Sequence, residues 1–531
     1  MSNLLDFTAN VLAGRYSLRA GTTIAANDTL ELGPNGKAWP IQTTDYAAVG
    51  NAASSIVAET TLRTGAAVSA TALDKRWPVV QDPVTGNLIF FNTNQSGASY
   101  GVKIYRYTAG GTSIGQLILD ASTFNPKSPE LQFLSNGNVL FTCSTAAGAI
   151  QYAIFDVNLN IVTALTTISE TAVDEKYDAL AFSAGGFGIT YSKTGTATQR
   201  LEIYSNTGAV TVAAATIATW GASGCVVFAN AVELSNGNIA FIFSNITASA
   251  LGMYRSIYTT AGVQVLANVS VEAGSVSATP SISAFGGYYA IMRYDGTSTM
   301  KVRVYTDAGV IQGAAFSVAV GGSDFGATDT FKVINDGTQF WAVYRADAIA
   351  FVQLTKIPVT GTNYVTVSTL AAATGTAAVS LDMFYERGFL ICAHNLNNSS
   401  QVSNWGYFVV DTVNMTTVTV NNLFGSTPAA EARNITLIPG GDFTFVAMYD
   451  ADPGSVATLF FYVGKYANSA VVGVALAAAV TDTLVSVLSA AAAYASNGVK
   501  GSASKQFDHS ATNIYGNKGV LLSYGSVMKG F

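Results

Sequence analysis

From about Pro78 to Tyr466 the apolar and polar positions recur in one order. A short apolar run is followed by a turn rich in Gly, Asn or Asp, a strongly apolar and aromatic run, and two further strand-like runs. The copies are spaced by roughly fifty residues. The clearest are 131–144 (LQFLSNGNVLFTCS) and 232–244 (VELSNGNIAFIFS). Weaker copies are 77–92 (WPVVQDPVTGNLIFFN), 180–192 (LAFSAGGFGITYS), 282–294 (ISAFGGYYAIMRY), 331–345 (FKVINDGTQFWAVYR), 381–394 (LDMFYERGFLICAH) and 435–449 (ITLIPGGDFTFVAMY). That makes eight copies. Each reads as a hairpin. Asn136-Gly137 and Asn236-Gly237 predict tight two-residue turns with positive φ, and Gly185-Gly186, Gly286-Gly287, Asp336-Gly337 and Gly440-Gly441 suit the same geometry.

A third, aromatic run follows in most copies, as at 102–107 (VKIYRY), 201–204 (LEIY), 253–258 (MYRSIY) and 302–305 (VRVY). It ends in a second turn, such as Asn206-Thr207-Gly208 or Asp307-Ala308-Gly309, and a Val/Thr-rich fourth run completes the unit, as at 161–168 and 364–370. Four antiparallel strands in about forty to fifty residues make the blade of a β-propeller. A single four-stranded sheet cannot cover both of its apolar faces. Stacking blade on blade buries them, and closing the ring leaves no unit exposed at an end. The last copy has three clear strands, and 55–63 (SIVAETTLR) is the expected outer strand that completes it as a clasp. Eight blades are expected, with seven as the alternative if the first or last copy belongs elsewhere.

Composition agrees with an all-β chain. Of the 531 residues 49% are hydrophobic and only 11% charged, against an ordinary charged share of about a quarter. The helix formers Glu, Lys and Arg are scarce, while Tyr and Phe are abundant. A net charge of -6 argues against a nucleic-acid partner. Cys143, Cys225 and Cys392 lie far apart without metal or redox spacing and read as small buried hydrophobes. The first residues lack the basic and apolar regions of a secretory signal. The apolar stretch 470–495 is broken by Thr481, Asp482 and Thr483, so two strands joined by a turn are expected there and no membrane insertion.

Outside the repeat, 21–41 (GTTIAANDTLELGPNGKAWPI) reads as strands with a hairpin around Asn35-Gly36, and 471–488 (VVGVALAAAVTDTLVSVL) as two strands. Neither is long enough for a core of its own. The expected organisation is a small β-barrel formed by the N-terminal segment (1–54) and the C-terminal segment (467–531), with the propeller (55–466) inserted between them. The pair resembles the small β-barrel modules of tailed-bacteriophage virion proteins, in which a GD-x-V…DGKA strand pair is followed by x-G-V-A…GD-x-V-x-V. Here Asn27-Asp28 and Thr481-Asp482 stand where Gly-Asp is usual. The Gly/Ser/Asn-rich end at 501–531 has the composition of tail-fibre and decoration proteins. The resemblance implies a virion structural component of tail, fibre or capsid surface. Its implied partners are other virion proteins, further copies of itself and a host-surface glycan.

Catalytic constellations are scarce. His394 ends an apolar strand, and His509 lies in the polar tail beside Asp508. There is no HExxH, GxSxG or P-loop motif. Asp336–Trp341 (DGTQFW) shares part of the box of propeller sialidases, but it lacks the preceding Ser and does not recur, so Asp336 reads as a turn former. Asp174-Glu175 and Asp450/Asp452 are expected in loops, where they are candidate ligands for a divalent cation but more often simply solvated. Trp220, Trp405, Tyr288 and Tyr289 are candidates for sugar stacking, with blade packing as the default reading. No catalytic, cofactor-binding or metal residue is assigned, no cofactor is expected, and the ligand-binding residues are open. The expectation is a non-enzymatic platform, with a surface lectin or adhesin as the alternative.

Overall fold

The computed structural model describes residues 15–19, 29–32, 38–40 and 54–63, most of 78–465, and strands at 471–475, 484–489, 520–522 and 526–528. The described strands form eight four-stranded antiparallel sheets, so the chain is an eight-bladed β-propeller. Blade 1 consists of Val79–Gln81, Leu88–Thr93, Val102–Tyr107 and Ser113–Asp120. Blades 2 to 7 occupy 126–167, 173–219, 229–273, 281–319, 331–372 and 381–424 in the same up-and-down order. Blade 8 takes Ala432–Gly441, Thr444–Ala451 and Thr458–Lys465 from one end of the repeat and Ser54–Arg63 from the other. The clasp is therefore real: Lys465 pairs with Ser54 and Phe461 with Thr60. Strands are lettered a to d within each blade, Ser54–Arg63 being strand d of blade 8. The a strands touch one another in unbroken cyclic order, with Ala432–Gly441 against Val79–Gln81 closing the ring.

The b strands show why the repeat is so apolar. Along Val139–Thr145 every residue is buried. Val139, Phe141 and Cys143 join the core shared with blade 1, while Leu140 packs in the core shared with blade 3. A strand covered on both faces reads as a continuous apolar run instead of an alternating one. The d strands are the opposite case. Ile161–Thr167 is exposed at five of its seven positions, as the outermost strand of a blade must be.

The hairpin turns depart from expectation at Asn136-Gly137 and Asn236-Gly237, and also at Gly185-Gly186 and Asp336-Gly337, where Phe182 N–H donates to Gly186 O and Asp336 N–H to Gln339 O. Leu134 N–H donates to Asn138 O at 2.8 Å and Gly137 N–H to Leu134 O at 2.9 Å, which makes a three-residue loop. Gly137 alone has positive φ (83°), and Asn136 instead uses its side-chain oxygen to accept from Asn138 N at 3.1 Å. The same loop forms at Leu234–Asn238. The competing geometry, a turn followed by a one-residue bulge, wins because a capping Asn has no need to adopt the left-handed region. Two-residue turns with both residues at positive φ do occur at Gly286-Gly287 and at Arg387-Gly388.

Topology gives the ring two unlike faces. All a–b and c–d turns lie on one face, which carries the short, well-defined turns. The b–c and d–a connections lie on the other. Strands c and d of blade 8 both meet the turn face where Lys465 pairs with Ser54, so the two chain ends leave side by side from that face. The terminal strands then interleave in one five-stranded sheet, in the order Arg15–Arg19, Leu484–Ser489, Val471–Ala475, Thr29–Leu32, Ala38–Pro40. The hairpin around Asn35-Gly36 is present as the pairing of Leu30 with Pro40 and Leu32 with Ala38. The described residues show this sheet but not closure into the expected barrel: among them the end strands Arg15–Arg19 and Ala38–Pro40 do not pair with each other. Residues 481–483 lie outside the described residues. The apolar stretch they interrupt contains the two strands Val471–Ala475 and Leu484–Ser489, and no described helix is long and apolar enough to cross a membrane.

Candidate functional site

The polar chemistry of this protein is concentrated in the seams between blades. An a strand has no partner on the side facing the ring axis, so its backbone groups there need another acceptor or donor. The preceding blade supplies one. Glu130 accepts from Ala179 N at 3.2 Å, Gln132 from Ala181 N at 2.8 Å, and Asp178 from Ala231 N at 2.7 Å. Ser281 Oγ accepts from Val333 N at 3.0 Å, and Asn230 Nδ2 donates to Pro280 O at 2.9 Å. Asp382 accepts from Leu437 N at 2.7 Å on one side and from the Lys332 ammonium on the other, tying blades 6, 7 and 8 together. These side chains line the inner ends of the six successive seams from blades 2 and 3 to blades 7 and 8.

Two seams hold denser clusters. Between blades 2 and 3 the fully buried Glu202 carboxylate accepts from Ser169 Oγ at 2.7 Å, from Tyr191 Oη at 2.8 Å, and from Tyr204 Oη. Burial first, and then Glu202 itself, push both phenols far above their ordinary range. They remain neutral donors and are not nucleophiles. Between blades 4 and 5 Arg255 donates to Tyr289 Oη at 2.6 Å and to Gly309 O at 2.7 Å, and its guanidinium lies 4.2 Å from the Tyr305 ring centroid. Burial pushes Tyr289 up to about 12, against the pull of Arg255. Asp307 accepts from Ser235 Oγ at 2.6 Å and from Asn236 N at 3.2 Å, completing the cross-blade link.

The residues singled out in the sequence fall apart in space. Asp336 is spent within its own turn, accepting from Thr338 N at 2.8 Å, Gln339 N at 2.9 Å and Trp341 Nε1 at 2.8 Å. Burial would raise its carboxyl, but the bonds from Thr338 and Trp341 outweigh that and hold it below the usual range. Asp174 and Glu175 lie in the strand Val173–Ala181, and Asp450 in Thr444–Ala451, not in loops. The a and b strands extend past their apolar runs because ladder bonds continue there, through a register shift after Val173 in the first case. Asp452, Trp220, His509 and Cys225 are outside the described residues. Trp405 is placed only by its backbone, in Gln401–Asp411. Tyr289 is buried and stacked on Tyr305 at 5.1 Å, and Tyr288 is half-buried against the core shared by blades 5 and 6, so neither presents an open ring face. Cys143 and Cys392 are buried free thiols.

His394 is wholly buried and stacks on Phe408 at 5.8 Å, and both of its ring nitrogens lack a hydrogen-bond partner among the described residues. Desolvation lowers its pKa to about 4. Among the described residues no group of three His, Cys, Asp or Glu side chains is placed to hold a metal.

Glu202 and Arg255 were not legible as site residues, because each sits in a regular strand with no motif. One signal did exist. In Thr198–Tyr204 (TQRLEIY) Glu202 shares its face with the aromatic Tyr204, an apolar-facing position for a charged side chain.

No protein-family model and no curated protein matches the chain. Solved structures that match in fold include an ulvan polysaccharide lyase (TM-score 0.38, 10% identity, covering 62% of this chain and 90% of that one). Others are a prolyl endopeptidase (0.41, 11%, covering 72% and 54%) and the α-L-arabinofuranosidase of Fusarium graminearum (0.35, 12%, covering 61% and 94%). The expectation that this chain is not an enzyme is corrected by these neighbours. Lyases, a glycosidase and a peptidase are all among them. At such low similarity they also assign no reaction to this chain.

Proposed function

We propose that this protein is a structural component of a tailed-bacteriophage virion, a stiff propeller platform attached to the particle through its terminal sheet. Its role includes holding the b–c and d–a loops toward a host-surface glycan. One observation carries the reading. Both chain ends leave the turn face beside the clasp and interleave in one sheet, with Thr29–Leu32 paired to Val471–Ala475 and Arg15–Arg19 to Leu484–Ser489. These are the segments whose sequences resemble phage β-barrel modules. With attachment at the turn face, the opposite loop face points away from the particle. Side-chain links at successive seams suit a platform that bears load, since blades 2 to 8 are each bonded to the next by more than apolar contact.

The test is a mass-spectrometric inventory of purified virions together with imaging of labelled particles. The chain should appear in fixed stoichiometry, with its loop face outward. Its absence from particles, or its presence only in the soluble lysate fraction, rejects the reading. A panel of polysaccharides, assayed for binding and for cleavage separately, establishes whether the outward face only holds its ligand or also acts on it.

A further inference from the structure

Blade 1 is held differently from the rest of the ring. In blades 2, 3 and 4 the a strand carries a polar side chain opposite the middle of strand b: Glu130 opposite Thr142, Asp178 opposite Thr190 and Asn230 opposite Ile242. Each of them bonds to the following blade. Blade 1 has Pro78 at that place, where its carbonyl accepts from Phe91 N at 3.3 Å, and a proline side chain has nothing to donate or accept. Its a strand, Val79–Gln81, is three residues long, against five to ten in the other blades. The polar side chains that follow are spent inside the blade: Gln81 Nε2 donates to Gly86 O at 3.1 Å, and Asp82 accepts from Val84 N at 3.0 Å.

The two seams of blade 1 are unequal. Toward blade 2, Arg106 Nη1 donates to Asn158 Oδ1 at 2.9 Å, and Phe91 stacks on Phe141 with centroids 5.5 Å apart. Toward blade 8 the seam is filled by apolar side chains, Ile438, Val446 and Met448 joining the blade 1 core, and none of the inner-end links of blades 2 to 8 crosses it. Asn92 follows Phe91 in the strand Leu88–Thr93, so it faces the opposite way, into that apolar seam. It is wholly buried, and neither the oxygen nor the nitrogen of its side chain has a hydrogen-bond partner among the described residues. His394 is orphaned in the same way. Leu390 and Cys392 on its strand face pack between blades 6 and 7, however, and the Lys332–Asp382 pair bridges that seam.

We propose that the seam between blades 8 and 1 is where this ring opens, and that Asn92 sets how readily it does so. A buried amide without a partner costs free energy only while the seam is closed, because water bonds it once the blades part. The residue therefore acts on the balance between the closed and the open ring. The opening is local, since the strands keep their ladder bonds within each blade. It lies beside the clasp, so the parted blades stay joined by the chain between Arg63 and Val79. The bridged seams of blades 2 to 8 stay shut, and motion in an otherwise stiff ring is confined to one place. This device does not depend on where the protein acts, so it stands or falls separately from the virion reading.

Thiol labelling of the full chain under native conditions tests it, with peptide mass spectrometry telling the sites apart. Met448→Cys places a thiol on the blade 8 side of the seam. The buried Cys143 and Cys392 report on the seams of blades 1 and 2 and of blades 6 and 7. The thiol of Met448→Cys should react at least about tenfold faster than either native cysteine. Adding Asn92→Leu removes the orphaned amide and should slow that thiol by about ten- to a hundredfold, while Cys143 and Cys392 keep their rates. Val446→Cys, on the same strand face, repeats the measurement if Met448→Cys does not fold. A seam thiol that reacts no faster than Cys392 overturns the proposal. So does a rate that Asn92→Leu leaves unchanged or raises, which would mean that Asn92 holds the seam closed through a bonded partner.

Discussion

Asp178 of blade 3 accepts the backbone N–H of Ala231 in blade 4 at 2.7 Å, and both groups are buried. The bond satisfies a backbone donor that no strand reaches, because an a strand has a neighbour on one side only. Asp178→Ala leaves that donor buried and unpaired, at a cost of about 1–3 kcal/mol. Native-state hydrogen exchange reads it directly: the Ala231 amide should lose protection, while Asp178→Asn, which keeps an acceptor, should preserve most of it. Equal protection in all three proteins would show the bond to be unimportant.

Glu202, itself fully buried, gathers three hydroxyl donors, two of them from the buried Tyr191 and Tyr204 and one from the exposed Ser169. Glu202→Leu fits the volume but strands the buried hydroxyls of Tyr191 and Tyr204, while the exposed Ser169 turns to solvent, and should lower stability by about 2–5 kcal/mol. Glu202→Gln keeps one acceptor oxygen and should lose less. Thermal melts of the pair supply the comparison, and the order Leu worse than Gln is the expected result.

His394 makes stability depend on pH. Its folded pKa, about 4, lies below the ordinary 6.5, so between those values the unfolded chain binds the proton more readily. Its contribution is complete above about pH 6.5 and is lost as pH falls toward 4, to a limit of about 3 kcal/mol. His394→Phe retains the stack on Phe408 and should flatten the melting temperature over that window. A slope identical to wild type would mean that other groups govern acid sensitivity.

Turn glycines should differ in what they tolerate. Gly137 and Gly262 both have positive φ, at 83° and 77°. A Cβ on Gly137 meets nothing within 4 Å, whereas one on Gly262 would sit 2.8 Å from Val212 Cγ1. Gly137→Ala should cost about 1 kcal/mol of backbone strain. Gly262→Ala adds the collision and should cost more. Denaturant unfolding of the two variants decides whether the seam between blades 3 and 4 has room to adjust.

The propeller was legible because its repeat is written in local chemistry. A doubly buried b strand such as Val139–Thr145 must be continuously apolar, and a hairpin loop needs a glycine such as Gly137 at its left-handed position, so both leave marks in every copy. The clasp at Ser54–Arg63 was legible too, since a three-stranded last blade demands a fourth strand. Asn136 misled in detail, because Asn-Gly suits two loop geometries and the bulged one lets the Asn side chain cap its own turn. Asp174, Glu175 and Asp450 misled because a polar residue at the end of a strand looks like the start of a loop.

What the amino-acid order determined by itself is therefore the blade: which segments are strands and where they turn, with eight units expected and seven left as the alternative. Only the tertiary structure decided which polar side chains face one another across a seam. Asp178 and Ala231 are fifty-three residues apart, and Glu202 meets Ser169 from the preceding linker thirty-three residues away. Strand periodicity assigns a side chain to a face of its own sheet but carries no record of what the next sheet places opposite. That pairing is set by how far each blade rotates against its neighbour, and closure of all eight into one ring fixes the rotation.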